Sequence, residues 1–194
     1  YKEVYREYTS FEEIQDEDGY PTENIAALQT WLKEVFYRVI ENEEFNIKAI
    51  NFSTYGASFV HIDQNGEVVT PLYNYTKQID EKVVADFYEK YGPELELTRT
   101  SGSPKSGLLN SGMKLYWIKH TKPEVFKKIK YSMHLPQYLS YIFTGIPVSE
   151  YTSIGCHTSL WNYETKDYQD WVYKEEIHKI LPPIVSTETS INMN

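Results

Sequence analysis

The residues best suited to meet a small polar ligand lie between Lys48 and Tyr75, where Ser53-Thr54-Tyr55-Gly56 interrupts two apolar runs. Small and hydroxylated residues at a strand end let backbone approach a ligand closely, and Ser and Thr hydroxyls both donate and accept hydrogen bonds. This stretch reads as the floor of a small-molecule site. Other chemistries find less support. His61, His120, His134, His157 and His178 are scattered without the spacing of a zinc site, and structural roles are expected for them. Cys156 and His157 are neighbours, but adjacent side chains on a strand point to opposite faces, so a small buried cysteine is expected there. A two-metal nuclease would need acids on its strands, yet Phe52, Ser53 and Thr54 occupy the strand end concerned. The acids Glu12-Glu13, Asp16-Glu17-Asp18 and Glu41, Glu43, Glu44 are expected in turns and exposed ends. Gly92, Gly102, Gly107 and Gly112 match neither the P-loop nor the dinucleotide-binding spacing.

The elements that must position this floor alternate between strand and helix. Val4 to Tyr8 reads as a first strand. Thr22 is placed to cap a helix over about 24–40, in which Ile25, Leu28, Trp31, Leu32, Val35, Phe36 and Val39 recur at helical spacing. Strands are expected over 46–53, 57–63 and 67–73, the last two joined by an Asp63-Gln64-Asn65-Gly66 turn. Asp80 reads as the cap of a helix carrying Val83, Val84, Phe87 and Tyr88. Residues 92–112 are rich in Gly and Pro breakers and read as a long loop. Helices follow over 113–120, after a Thr121-Lys122-Pro123-Glu124 capping box, over 135–144 ending at Gly145, and over 169–180 before Pro182-Pro183.

Composition removes several classes of protein. With 194 residues, 41% of them hydrophobic, the chain suffices for one substantial core. A net charge of -9 disfavours a phosphate-backbone binder, and Lys127, Lys128 and Lys130 read as a solvated helix face, so no nucleic-acid partner is expected. The single cysteine excludes an intrachain disulfide and fits a reducing compartment. No stretch approaches the roughly 20 apolar residues that span a bilayer, so neither a membrane partner nor a leader is expected, and a cytoplasmic location is.

Two blocks in this order and spacing resemble the FGGY carbohydrate kinases, in particular their rhamnulokinase and fuculokinase branch. The first is Phe52-Ser53-Thr54-Tyr55-Gly56-Ala57-Ser58, followed by Phe59-Val60-His61-Ile62-Asp63, Gly66 and Pro71-Leu72-Tyr73-Asn74-Tyr75. The family shows an Ile-Asp-Thr-Trp-Gly-Val-Asp pattern there, then an aliphatic strand, Leu-Asp, a Gly turn and an aromatic-rich strand. The second block, Leu135 to Gly145 continuing to Glu150-Tyr151-Thr152-Ser153, is similar to the family's proline, tyrosine and Leu-Thr-Gly helix and the run after it.

The resemblance implies an α/β fold: an actin-like ATPase, RNase-H-like domain with a mixed sheet flanked by helices, the amino-terminal half of a two-domain sugar kinase. Residues 1–185 would be that domain, and 186–194 a polar tail leading toward a carboxy-terminal ATP-binding domain. Such kinases move the γ-phosphoryl group of ATP to a sugar hydroxyl, with Mg2+ neutralising phosphate charge and an aspartate accepting the hydroxyl proton. Thr54, Tyr55, Gly56 and Ser58 would line the sugar cleft. In these roles Gly56 admits backbone to a hydroxyl, Tyr55 supplies a stacking face, and Ser58 a donor or acceptor. The family's Asp-x-Gly-Thr hairpin would precede Tyr1, and its catalytic aspartate would follow Asn194. No catalytic, nucleotide-binding or metal-binding residue is therefore expected in this chain, which alone would be inactive. Ser58 stands where the branch carries an acid, and Thr76 to Ile79 replace an Arg and Asp after the aromatic strand. A noncatalytic sugar-sensing or interaction module of the same fold is the alternative expectation. A sheet lacking its leading hairpin would also leave edge groups seeking partners, so self-association into a homo-oligomer is a further expectation.

Overall fold

The computed structural model describes residues 2–193. At the amino-terminal side β1 (Ile14–Gln15) and β2 (Pro21–Thr22) pair antiparallel around Asp16, whose Oδ1 accepts from the backbone N–H groups of Asp18 and Tyr20 at 2.9 and 3.0 Å. Residues 4–8 form no strand; Val4 and Tyr8 are exposed, and Arg6 pairs locally with Glu3. The helix α1 (Ile25–Ile40) is capped by Asn24, whose side chain accepts from Ala27 N at 3.0 Å, rather than by Thr22. The Thr22 hydroxyl is instead buried in β2 and donates to Leu72 O.

The central ladder is β3 (Phe59–Ile62) against β4 (Tyr131–His134), antiparallel, with Phe59 opposite His134 and Ile62 opposite Tyr131. All four residues of β3 are buried, which is why its sequence is an unbroken run rather than an alternation. The expected strand over 46–53 is not formed: residues 46–57 are irregular and partly exposed. A strand exists only where a partner accepts from its N–H groups and donates to its C=O groups, and among the described residues none pairs with this segment. The expected third strand is reduced to single bridges, Ile62 with Val68 and Leu72 with Glu23. The Asp63 turn before it is formed as expected, with Oδ1 accepting from Asn65 and Glu67 N–H and Gly66 at φ +83°.

Next comes α2 (Glu81–Tyr91), capped by Asp80 through Lys82 N at 2.8 Å. The expected loop over 92–112 contains a further helix, α3 (Glu94–Ser101), stopped by Gly102 in the left-handed conformation, and a 3-10 turn at Gly107–Leu109. Helix α4 (Ser111–Thr121) runs through the middle of the domain, with every residue from Ser111 to Ile118 buried. It begins where Gly112 passes Thr158: a Cβ on Gly112 would lie 2.4 Å from Thr158 O, so only glycine permits this approach. In α5 (Pro123–Phe126) proline holds the first turn, but no side chain caps it; Thr121 Oγ1 donates back to Trp117 O at 2.8 Å.

The helix α6 (Leu135–Thr144) follows β4 without a break and ends at Gly145, φ +65°, as its sequence predicts. The strand β5 (Ser149–Glu150) leads into α7 (Tyr151–Ile154), and a hairpin joins β6 (Trp161–Asn162) to β7 (Asp167–Tyr168). The expected helix over 169–180 is split into α8 (Asp170–Lys174) and a 3-10 turn at Ile177–Ile180, with Glu176 left-handed between them. Finally β8 (Ile184–Val185) pairs parallel with β5.

Two apolar cores hold these elements. The larger surrounds α4 and gathers Phe87, Tyr116, Leu115, Ile118, Trp171 and Ile177. The smaller lies under α6 and joins Ile25, Val60, Ile62, Met133, Tyr138 and Leu139. The ladder β3–β4 lies between them, since Phe59 belongs to the first and Val60 and Ile62 to the second. Among the described residues no helix is long and apolar enough to cross a membrane.

Candidate functional site

A cavity of about 960 Å3 opens between the irregular run 48–56, helix α6, the start of α7 and residues 185–193. Its wall mixes apolar and polar groups, with the hydroxyls of Ser53, Thr54, Ser140, Thr144, Thr152 and Ser153 among the lining. Thr54 is half-buried and donates from Oγ1 to Tyr55 O at 2.9 Å. Tyr55 is 40% exposed, its ring 6.1 Å from that of Tyr75, and burial of the rest of the side chain beside Glu23 raises its phenol. Gly56 is exposed, with no atom near the position a Cβ would take. These three line the cavity together. Ser58 is buried beneath it and is not part of the lining; its carbonyl accepts from Leu135 N at 3.1 Å and so ties the floor to α6.

The turn from Gly56 into β3 depends on a lysine. Ala57 takes a left-handed φ of +60°, uncommon for a residue with a Cβ, and its carbonyl accepts from Lys114 Nζ at 3.0 Å. The same ammonium donates to Tyr73 O at 2.6 Å. Lys114 is fully buried, and loss of hydration pushes it down to about 7. It ties the cavity floor and the aromatic segment around Tyr73 to the central helix. Sequence reasoning did not single it out; the signal available was one charge inside Met113-Lys114-Leu115-Tyr116-Trp117-Ile118, where α4 has no solvent face.

Two histidines of the β3–β4 ladder are neutral, and one of them, His134, lines the cavity. His61 and His134 are buried, and desolvation, with Lys114 nearby, pushes each down to about 3. His61 Nδ1 lies 2.8 Å from Ser132 Oγ, and His134 Nε2 lies 3.0 Å from Ser111 Oγ. The expected burial of Cys156 is not observed: it is exposed, on the cavity wall, in the bend that follows α7 rather than on a strand. Glu150 caps α7, accepting from Ser153 N at 2.6 Å and Thr152 N at 3.1 Å.

Glu17 and Asp18 lie exposed in a turn, as expected, whereas Asp16 does not. Asp16 is buried and paired with Lys77 Nζ at 2.5 Å; Asp18 takes the same ammonium at 2.6 Å. Glu17 accepts from Tyr73 Oη at 2.5 Å and from Lys122 Nζ at 2.6 Å. These pairs fasten the β1–β2 hairpin beside the aromatic segment. Their partners are more than fifty residues away, which hides them from sequence inspection. Lys127, Lys128 and Lys130 are exposed as expected, but in the turn after α5 rather than on a helix face, because α5 ends at Phe126. Among the described residues no three His, Cys, Asp or Glu side chains converge as a metal ligand set.

The cavity lies beside the β3–β4 ladder, between helices, in an α/β domain. A family model, the amino-terminal domain of the FGGY family of carbohydrate kinases, matches residues 2–193. The chain belongs to that family. The rhamnulokinase of Mannheimia succiniciproducens is 27% identical over 137 residues, covering 68% of this chain and 28% of that protein. A carbohydrate kinase from Novosphingobium aromaticivorans superimposes with a TM-score of 0.77 at 26% identity, over 89% of this chain and 36% of its own. A xylulose kinase from Lactobacillus acidophilus does so with a TM-score of 0.81 at 21% identity, over 96% of this chain and 38% of its own. The fold is thus the actin-like fold of these sugar kinases. The chain spans only about a third of the length of these relatives.

Proposed function

We propose that the protein containing this chain is an ATP-dependent carbohydrate kinase that phosphorylates a hydroxyl of a ketose or deoxyketose such as rhamnulose or fuculose. Its location would be the cytoplasm, where ATP is drawn from the common pool. This domain supplies the sugar-binding wall. Thr54, Tyr55 and Gly56 meet the sugar in this reading, and Ser58 supports them from below. The observation that carries the reading is the coincidence of the family-like Thr54-Tyr55-Gly56 run with a cavity whose wall carries hydroxyls. Similarity to a rhamnulokinase favours a ketose of that kind.

Phosphoryl transfer rests on positioning and charge neutralisation, so the cleft must hold the accepting hydroxyl in line with the γ-phosphate. In this proposal ATP, Mg2+ and the proton-accepting aspartate belong to sequence outside these residues, and domain closure brings them to the sugar. The chain alone should then bind sugar weakly and transfer nothing. Thermal-shift screening of the full-length protein against ketoses and deoxyketoses, with and without nucleotide, tests the reading. A stabilising sugar, reinforced by nucleotide, is expected. No shift across the panel would favour a noncatalytic module of the same fold.

A further inference from the structure

The run that lines the cavity at Thr54, Tyr55 and Gly56 is lightly attached to the rest of the domain. Residues 46–57 join no ladder, and among the described residues a single hydrogen bond ties them to another element: Lys114 Nζ donates to Ala57 O at 3.0 Å. The other bonds in the run are local, from Phe52 N to Asn51 Oδ1 and from Thr54 Oγ1 to Tyr55 O. Ring contacts of Phe52 with Phe143 and of Tyr55 with Tyr75 add to the attachment. The lysine's bond falls where the backbone is least content. Ala57 directly follows Gly56 and holds φ +60°, a left-handed conformation that sterics disfavour for any residue with a Cβ.

The other end of this tie is rigid. Lys114 is fully buried in α4, where every residue from Ser111 to Ile118 is buried. No acid pairs with the ammonium among the described residues, and burial alone depresses its pKa. A charge kept inside without an acid must be held by the dipoles it donates to, here Ala57 O and, at 2.6 Å, Tyr73 O. Tyr73 is fixed independently: its ring lies 4.9 Å from that of Trp117, and its Oη donates to Glu17 at 2.5 Å. One ammonium therefore sets the least anchored part of the cavity lining against a helix and a segment that do not depend on it.

We infer that Lys114 is a positioning residue for the sugar: it holds Ala57 left-handed and so presents Tyr55 and Gly56 to the cavity. This rests on the sugar-kinase reading of the same site. Strain at Ala57 and affinity for sugar are then coupled, which a lysine that only supported the core would not produce. A double-mutant cycle in the full-length protein tests the coupling. Lys114→Met removes the donors at nearly the same length, and Ala57→Gly lets the left-handed turn form without help. With the methionine, KM for the ketose should rise about ten-fold, as for a lost hydrogen bond from a charged group, while KM for ATP stays within about two-fold of wild type. In the Ala57→Gly background the same change should raise the ketose KM about three-fold or less. Glu175→Gln, a destabilising change off the cavity lining, is the control and should leave the ketose KM unchanged. Lys114→Gln removes the buried charge but keeps an amide donor; its ketose KM should lie between wild type and Lys114→Met, and it carries the test if the methionine variant does not fold. Folded Lys114 variants with the wild-type ketose KM, or an equal penalty in both backgrounds, would overturn this inference alone. So would failure of every Lys114 variant to fold, the double variant included, since the lysine would then hold the domain and not the floor. A folded wild-type protein that turns over no ketose would overturn the kinase reading as well.

Discussion

A buried lysine sets the shape of the cavity floor. Lys114 Nζ fills the acceptors of Ala57 and Tyr73, so Lys114→Met should leave two buried carbonyls unpaired. The expected loss is about 1–3 kcal/mol in urea denaturation, partly offset by relief of a desolvated ammonium, together with weaker sugar binding. Glu175 is the corresponding hub of the larger core. Burial raises its pKa, but hydrogen bonds from Lys90, Tyr91, Lys119 and His120 outweigh this and hold it down to about 2. Its stabilising contribution is therefore full above the ordinary value of 4.5 and is lost as pH falls toward 2. Glu175→Gln should cost about 2 kcal/mol at pH 7 and progressively less in acid, as read from denaturation midpoints at several pH values.

The elements divide into those written locally and those written by distant partners. Asp80, Gly145 and the apolar spacing after Asn24 are local signals, and the helices over 25–40, 81–91 and 135–144 were legible from them. Strand 46–53 was not, because Ile47, Ala49, Ile50 and Phe52 supply an apolar run but the chain beside it supplies no ladder. Conversely, β4 is only Tyr131-Ser132-Met133-His134, too short to read alone, and it exists because β3 lies opposite. Helix α3 hides among breakers, where Gly102 ends it rather than preventing it. The cavity floor at Thr54 to Gly56 was legible from residue type; Lys114, His134 and the Asp16–Lys77 pair were not, since burial and partner identity come from the whole fold. At this scale Asp80→Ala should cost about 1 kcal/mol through loss of the α2 cap. Gly112→Ala should cost more, about 2–4 kcal/mol, since the added Cβ meets the Thr158 carbonyl and backbone must move. Both are read from chemical denaturation.

For the whole molecule, neutral buried histidines predict sensitivity to mild acid. His61 and His134 are held near 3, against an ordinary 6.5, so the unfolded chain takes up protons first and stability falls as pH drops from about 6.5 toward 3. This should lower the denaturation midpoint already between about pH 6.5 and 5, where exposed carboxylates are still mostly ionised, with the loss of Glu175's contribution adding to it below about pH 4.5, as followed by circular dichroism. The two cores meet at β3–β4, directly beneath the cavity, so loss of either core should abolish sugar binding together with structure. The central claim, that the wall at Thr54 to Gly56 holds the sugar of a kinase, is tested most directly by sugar-dependent ADP release from the full-length protein, comparing wild type with Gly56→Val. The account predicts turnover with at least one ketose and a loss of about a hundred-fold or more in kcat/KM when the valine side chain enters the cavity, with folding retained. Undiminished ketose turnover by a folded Gly56→Val protein would contradict it.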